Sequence, residues 1–266
     1  MQLFGLQVDM LSMQGEGIIL SNLSESRSAS SNCFKGMTAE EFQVLRTNLH
    51  EKGVKLIAVS KMKTPSQILE VYQWGQRIFA ENRVQDLIPK YNFLPKDIEW
   101  HMIGHLQKNK VKYIVPFISM IQSVDSLGLL QEIEKRATKA GRVIDFLFQL
   151  RIAREETKYG LSESDLMRLL ESKEYRQMRH VRACGVMGIA TLTEDERILR
   201  QEFRRLKAAF DNLRKNYFSD DVCFREISMG MSGDFEIAIE EGSTMVRLGT
   251  LIFGERLHST FTPGEL

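Results

Sequence analysis

Cysteine is scarce in this chain of 266 residues, which carries Cys33, Cys184 and Cys223 and no others. An odd, scattered set argues against a disulfide framework, and no pair has the spacing of metal ligands. The setting this favours is a reduced, cytoplasmic one. Long hydrophobic runs are missing too. None approaches the roughly 20 residues that cross a bilayer, so no membrane partner is expected. Residues 1–20 contain Asp9 and Glu16 and lack a basic leading segment, unlike a secretory signal. Charge of one sign is not in excess: 36 basic side chains face 35 acidic ones, for a net charge of +1. That balance leaves no electrostatic footprint for nucleic acid. A strand followed by Gly-x-Gly-x-x-Gly, the mark of a dinucleotide fold, does not occur either.

What is present is an ordinary globular composition, 43% apolar and 27% charged. The stretch 21–32 is the exception, being nearly all Ser, Asn, Glu and Arg. It holds too little apolar surface to offset the entropy of ordering, so residues 1–36 are expected to form a disordered tail. Phe42, Leu45 and Leu49 then fall at helical spacing, and Met37 is a candidate start of translation.

From Val54 a unit recurs: a short apolar run, a polar corner, then an amphipathic helix. The runs occupy 55–60, 77–80, 98–103, 117–123, 143–151, 181–189, 223–228 and 245–248. Helical patterns between them cover 66–74, 127–140, 163–171 and 195–216, the last an outer helix packing through Ile198, Phe203, Leu206 and Phe210. Parallel neighbours require crossover helices, so strict alternation predicts a parallel sheet. Eight strands in this length fit a closed (β/α)8 barrel over residues 37–266 better than a doubly wound sheet. In such barrels chemistry collects at the C-terminal ends of the strands. The residues to watch are therefore Lys61, Asn82, His105, Asp125, Lys158, Met187, Ser232, Gly249 and Thr250.

Lys61 ends an apolar strand and is followed by Thr64 and Pro65, which read as an N-cap and a first helical residue. Rooted in an apolar wall, its amine would be desolvated and freed to attack a carbonyl; the plainer alternative is a solvated rim lysine. Ser228-Met229-Gly230-Met231-Ser232-Gly233-Asp234 follows the seventh strand, and Val246-Arg247-Leu248-Gly249-Thr250 forms the eighth. Ser232 stands where a helix carrying Phe235, Ala238 and Ile239 is expected to begin. Barrels often bind phosphate with these two loops, and Asp234 would then have to turn away or be neutralised. Arg247 should point inward, either to pair with a carboxylate such as Glu226 or to donate to a cofactor ring. Met229 and Met231 are expected to wall the pocket.

Five ordered motifs give the chain a resemblance. They are Ala58-Val59-Ser60-Lys61, Glu81-Asn82-Arg83-Val84-Gln85, the run from Trp100 to Lys110, Ser228-Met229-Gly230-Met231-Ser232, and Gly242 to Thr250 followed by Ile252-Phe253-Gly254. Together they resemble the pyridoxal phosphate homeostasis proteins (the YggS or PROSC family) from about residue 40 to Arg256. Ala80 departs from the pattern, where the family usually has glycine. The resemblance implies a barrel similar to the N-terminal domain of alanine racemase, with pyridoxal 5′-phosphate (PLP) held as a Schiff base on Lys61. It places Ser232, Gly249 and Thr250 on the phosphate and Arg247 at the pyridine nitrogen. Asn82 would lie beside the ring and His105 near the mouth.

It also implies a role in vitamin B6 balance without turnover, with PLP-dependent apo-enzymes as possible recipients. An arginine stays cationic and opposes protonation of the ring nitrogen, which weakens the electron sink. The alternative is an amino-acid racemase, which needs bases on both faces of its substrate. Racemases of this type carry Lys-x-x-x-Tyr, whereas the residue four after Lys61 is Pro65. The sequence stops at Leu266, so no second β-domain is expected, and with it a monomer. Tyr159 and His105 could stand in as bases, though their spacing does not support it. A barrel that binds only a protein partner is a reading from a different class. His101 and His105 have i, i+4 spacing but lie on and after a strand, so no metal is expected. Lys108, Lys110 and Lys112 read as a solvated face.

Overall fold

The computed structural model describes residues 36–153 and 159–254. The tail expected over 1–36 lies outside them except for Gly36, as do Lys158 and Arg256. Eight parallel strands close into a barrel in sequence order, β1 pairing with both β2 and β8. They are β1 (Lys55–Val59), β2 (Ile78–Glu81), β3 (Glu99–Met102), β4 (Met120–Val124), β5 (Ile144–Gln149), β6 (Val181–Met187), β7 (Glu226–Met231) and β8 (Met245–Leu248). The expected (β/α)8 architecture is thus the observed one.

Helices wrap the outside: α1 (Ala39–Glu51), α2 (Pro65–Gln73), α3 (Val84–Phe93), α4 (Val111–Ile114), α5 (Leu127–Ala140), α6 (Glu163–Glu171), α7 (Lys173–Gln177), α8 (Glu196–Asn216), α9 (Phe235–Glu240) and α10 (Thr250–Phe253). Polar caps start several of them. Thr38 and Thr64 each form a capping box with the residue three further on, and Pro65 occupies the first turn of α2. Gly141 ends α5 in the left-handed conformation that a glycine takes without strain.

Alternation along the strands divides the core in two. Ile57, Val59, Ala80, Met120, Leu147, Cys184, Met187 and Met245 fill the barrel interior. A larger outer layer, with Phe42, Phe79, Trp100, Phe146, Phe148, Phe203 and Met229, lies between strands and helices. Burying side chains of this size stabilises a fold by roughly 1.5–3 kcal/mol each. Met229 is therefore not a wall of the pocket, contrary to expectation: it faces the helices. On α8 the buried residue of the first turn is Leu199, with Ile198 only partly covered. Ala80 has ordinary strand backbone and a buried methyl, so nothing in the structure requires a glycine at this position.

Candidate functional site at the barrel mouth

Alternation decides which rim residues face inward. On β1, Ile57 and Val59 point into the barrel, and the half-buried Lys61 follows two residues after the strand. The next residue, Met62, takes a positive φ of 61° and is largely exposed, which turns the backbone sharply after the lysine. On β2 Ala80 faces in and Glu81 is buried on the other side, and the half-buried Asn82 follows directly. On β8 Met245 and Arg247 face in while Val246 and Leu248 join the outer layer.

A buried ion pair sits directly behind these rim positions. Lys90 of α3 donates to the Ser60 carbonyl at 2.8 Å and to Glu81 Oε1 at 2.5 Å. Ser60 Oγ donates to the same carboxylate oxygen at 2.6 Å. One lysine therefore ties together the residues that precede Lys61 and Asn82. Burial raises the Glu81 carboxyl, against the pull of Lys90 and Ser60. Its Oε2 is buried and has no hydrogen-bond partner.

The two loops expected to take phosphate do come together, but not as foreseen. Ser232 is not the cap of a helix: α9 begins three residues later, after a turn, with Asp234 as its N-cap. Instead the Ser232 hydroxyl accepts from the backbone N–H groups of Gly249 and Leu251, each at 3.3 Å. The Thr250 backbone lies between those two donors. Gly230, with φ 94°, bends β7 toward α9, and a Cβ there would come within 2.7 Å of the Ala238 methyl. A Cβ at Gly233, the residue after Ser232, would meet nothing within 4 Å. Asp234 turns back to accept from the Met231 N–H at 2.5 Å, and burial raises its carboxyl above the usual range. Lys63 donates to the carbonyls of Phe253 and Gly254 at 3.1 and 3.0 Å, tying the Lys61 loop to α10.

Arg247 is 4% exposed. It donates to Ser228 Oγ at 2.6 Å and to the Gly188 carbonyl at 2.9 Å. Among the described residues no carboxylate lies within ion-pair distance of it. Glu226, the expected alternative partner, bonds Lys55 at 2.6 Å near the opposite, N-terminal end of the strands. Burial pushes the guanidinium down to about 10, partly opposed by Asp234, so it remains charged at neutral pH.

His105 and Tyr159 make a contact that local spacing does not reveal. Their rings stack at 4.2 Å, and His105 Nδ1 lies 3.0 Å from Asp125 Oδ2. The carboxylate partner thus comes from the next strand end, 20 residues on. Gly104, just before His105, lets the end of β3 approach the end of β2, since a Cβ there would stand 2.2 Å from the Asn82 carbonyl oxygen. His101 is separate from this group, buried inside the barrel against Gln122. Among the described residues no cluster of three or more His, Cys, Asp or Glu could hold a metal. Nor is any helix among them long and apolar enough to cross a membrane. Met187, from the strand-end shortlist, is filler in the interior core.

The family described as alanine racemase, N-terminal domain, matches residues 38–257. A pyridoxal phosphate homeostasis protein of Aquifex aeolicus is 42% identical over 212 residues, covering 79% of this chain and 91% of that protein. A human protein of the same description is 36% identical over 217 residues, covering 77% and 78%. Among solved structures, PipY of Synechococcus elongatus with PLP bound is 34% identical, with a TM-score of 0.72 and coverage of 81% and 99%. An alanine racemase of Clostridium difficile, 16% identical with a TM-score of 0.64, shares the fold.

Proposed function

The chain belongs to the pyridoxal phosphate homeostasis family, on the alanine racemase N-terminal-domain fold, and from that premise we propose that it binds PLP as a Schiff base on Lys61 and helps to balance intracellular PLP. The observation that carries this reading is the Arg247 guanidinium. A buried charge with no carboxylate at ion-pair distance among the described residues is costly, only partly offset by Asp234, and an electron-rich ligand beside it would offset more of that cost. Lys61 follows β1 by two residues, and β1 pairs directly with β8, the strand that carries Arg247. The Ser232 hydroxyl accepts from the Gly249 and Leu251 N–H groups and keeps its own hydrogen to donate to a phosphate oxygen, with the Thr250 backbone between those two donors.

When bound, PLP supplies an aldehyde that condenses with amines and a ring that withdraws electrons. The residues around it do the rest. Lys61 tethers, and Ser232, Gly249 and Thr250 hold the phosphate. Arg247 donates toward the ring nitrogen and opposes its protonation. Asn82 flanks the ring, and His105 borders the mouth with Asp125 and Tyr159.

This arrangement suits custody of a reactive aldehyde better than turnover. Racemisation needs bases on opposite faces, yet His105 and Tyr159 are stacked on one another and supply a single position. Release would proceed by exchange of the Lys61 amine for another amine, with PLP-dependent apo-enzymes as recipients. The protein works as a cytoplasmic monomer, apart from membranes and nucleic acid.

Incubation with PLP should give a visible absorption band in the native protein and none in Lys61→Ala, with the variant still folded by circular dichroism. A colourless native protein that takes up no PLP would refute the reading.

A further inference from the structure

Beyond Arg247, toward the N-terminal end of the barrel, runs a chain of buried polar side chains. Arg247 Nη1 meets Ser228 Oγ at 2.6 Å, Ser228 Oγ meets Gln122 Oε1 at 2.7 Å, and Gln122 Nε2 meets His101 Nδ1 at 2.9 Å. Ser228 and Gln122 are fully buried and His101 nearly so. The partners come from β8, β7, β4 and β3, up to 106 residues apart in sequence.

The bond directions form one consistent set. A guanidinium can only donate, so Ser228 accepts from Arg247, and its own hydrogen goes to Gln122 Oε1, the acceptor 2.7 Å away. Gln122 therefore turns its oxygen to Ser228 and its NH2 group to His101. His101 Nδ1 must then accept, which leaves the ring proton on Nε2. Burial agrees with this, holding His101 at about 3, far below the usual imidazole range, and so neutral. The Gly188 carbonyl fixes the other end of the guanidinium at 2.9 Å.

We propose that His101, Gln122 and Ser228 are positioning residues, which through this one-directional chain hold the remaining guanidinium donors of Arg247 toward the ring of bound PLP. The proposal rests on Arg247 being the group that faces the ring. None of the three is assigned contact with the cofactor. They act through Arg247 by occupying its far side with acceptors that leave it one orientation.

Two measurements test this. Imidazole 15N NMR of the protein without PLP, at neutral pH, should show His101 neutral with its proton on Nε2. A proton on Nδ1, in either the neutral or the charged ring, overturns the proposal without any variant being made. The second measurement compares Ser228→Ala, Gln122→Met, Arg247→Met and the conservative Ser228→Thr, loaded with PLP. Ser228→Ala and Gln122→Met should move the visible band in the same direction as Arg247→Met and weaken PLP affinity about tenfold, the scale of one charge-assisted hydrogen bond. Ser228→Thr, which keeps the hydroxyl, should restore the band. If Ser228→Ala and Gln122→Met lower only the melting temperature while Arg247→Met moves the band, the chain is structural packing and the proposal fails. If Arg247→Met leaves the band unmoved, the assignment of Arg247 to the ring falls first, and the proposal with it.

Discussion

The hydroxyl of Ser232 accepts from the main chain of two residues across the loop after β8. Ser232→Ala removes that acceptor and, on the proposed reading, one donor to the phosphate as well. A hydrogen bond of this kind is worth about 1 kcal/mol net, so PLP retention should weaken roughly five- to tenfold with Lys61 still modified. Equilibrium dialysis of the variant checks the magnitude, and complete loss of binding would mean the loop had collapsed rather than lost one contact. At this scale the sequence was readable where a residue's role follows from strand position. Arg247 lies on the strand and is buried, as alternation along β8 suggested, and Lys61 and Asn82 come just after the ends of β1 and β2, as the apolar runs suggested. It was unreadable where partners lie far apart in the chain. Asp125 beside His105 and Gln122 beside Ser228 are contacts made only when the barrel closes. The helix expected to begin at Ser232 begins at Phe235 because β7 runs three residues further than its apolar pattern suggests, to Met231.

That displacement belongs to the scale of elements. The run 223–228 looked like a strand, but Phe224 is drawn into an aromatic stack with Phe210 at 5.2 Å and Phe218 at 4.1 Å, ahead of the sheet. Tertiary packing outweighed local pattern there. By contrast α5 and α6 keep their expected bounds, since serine caps and a C-terminal glycine or a second serine mark their ends. The bounds of helix α3 were not legible, as Pro89 lies inside it and interrupts the helical signal. Yet α3 supplies Lys90, which ties the ends of β1 and β2 together through Ser60 and Glu81. Removing one partner of a buried pair leaves the other charge uncompensated. Lys90→Met should therefore destabilise the fold by about 3–5 kcal/mol in urea denaturation. Combining it with Glu81→Gln should recover part of that loss. If the single variant costs nothing, the pair does not hold the two strand ends.

For the molecule as a whole, the buried polar interior sets a limit on acid stability. His101 is neutral in the folded barrel, at about 3, but takes a proton near 6.5 once unfolded. The unfolded chain thus binds the extra proton as pH falls below 6.5, and stability drops with it. This residue alone should cost about 2 kcal/mol between pH 7.5 and pH 5. His101→Gln should flatten that part of the profile, and an unchanged slope in the variant would show that other groups govern it. The barrel's closure was legible as eight alternating units. What that closure assembles inside, from four different strands, was not.

The central claim is that Lys61 is the residue that carries the cofactor. Incubating the native protein with PLP, reducing with borohydride and mapping the peptides tests it most directly. A single reduced adduct on Lys61 is expected, in the peptide that also contains Ser60 and Met62. An adduct confined to another lysine, or none at all, would contradict it.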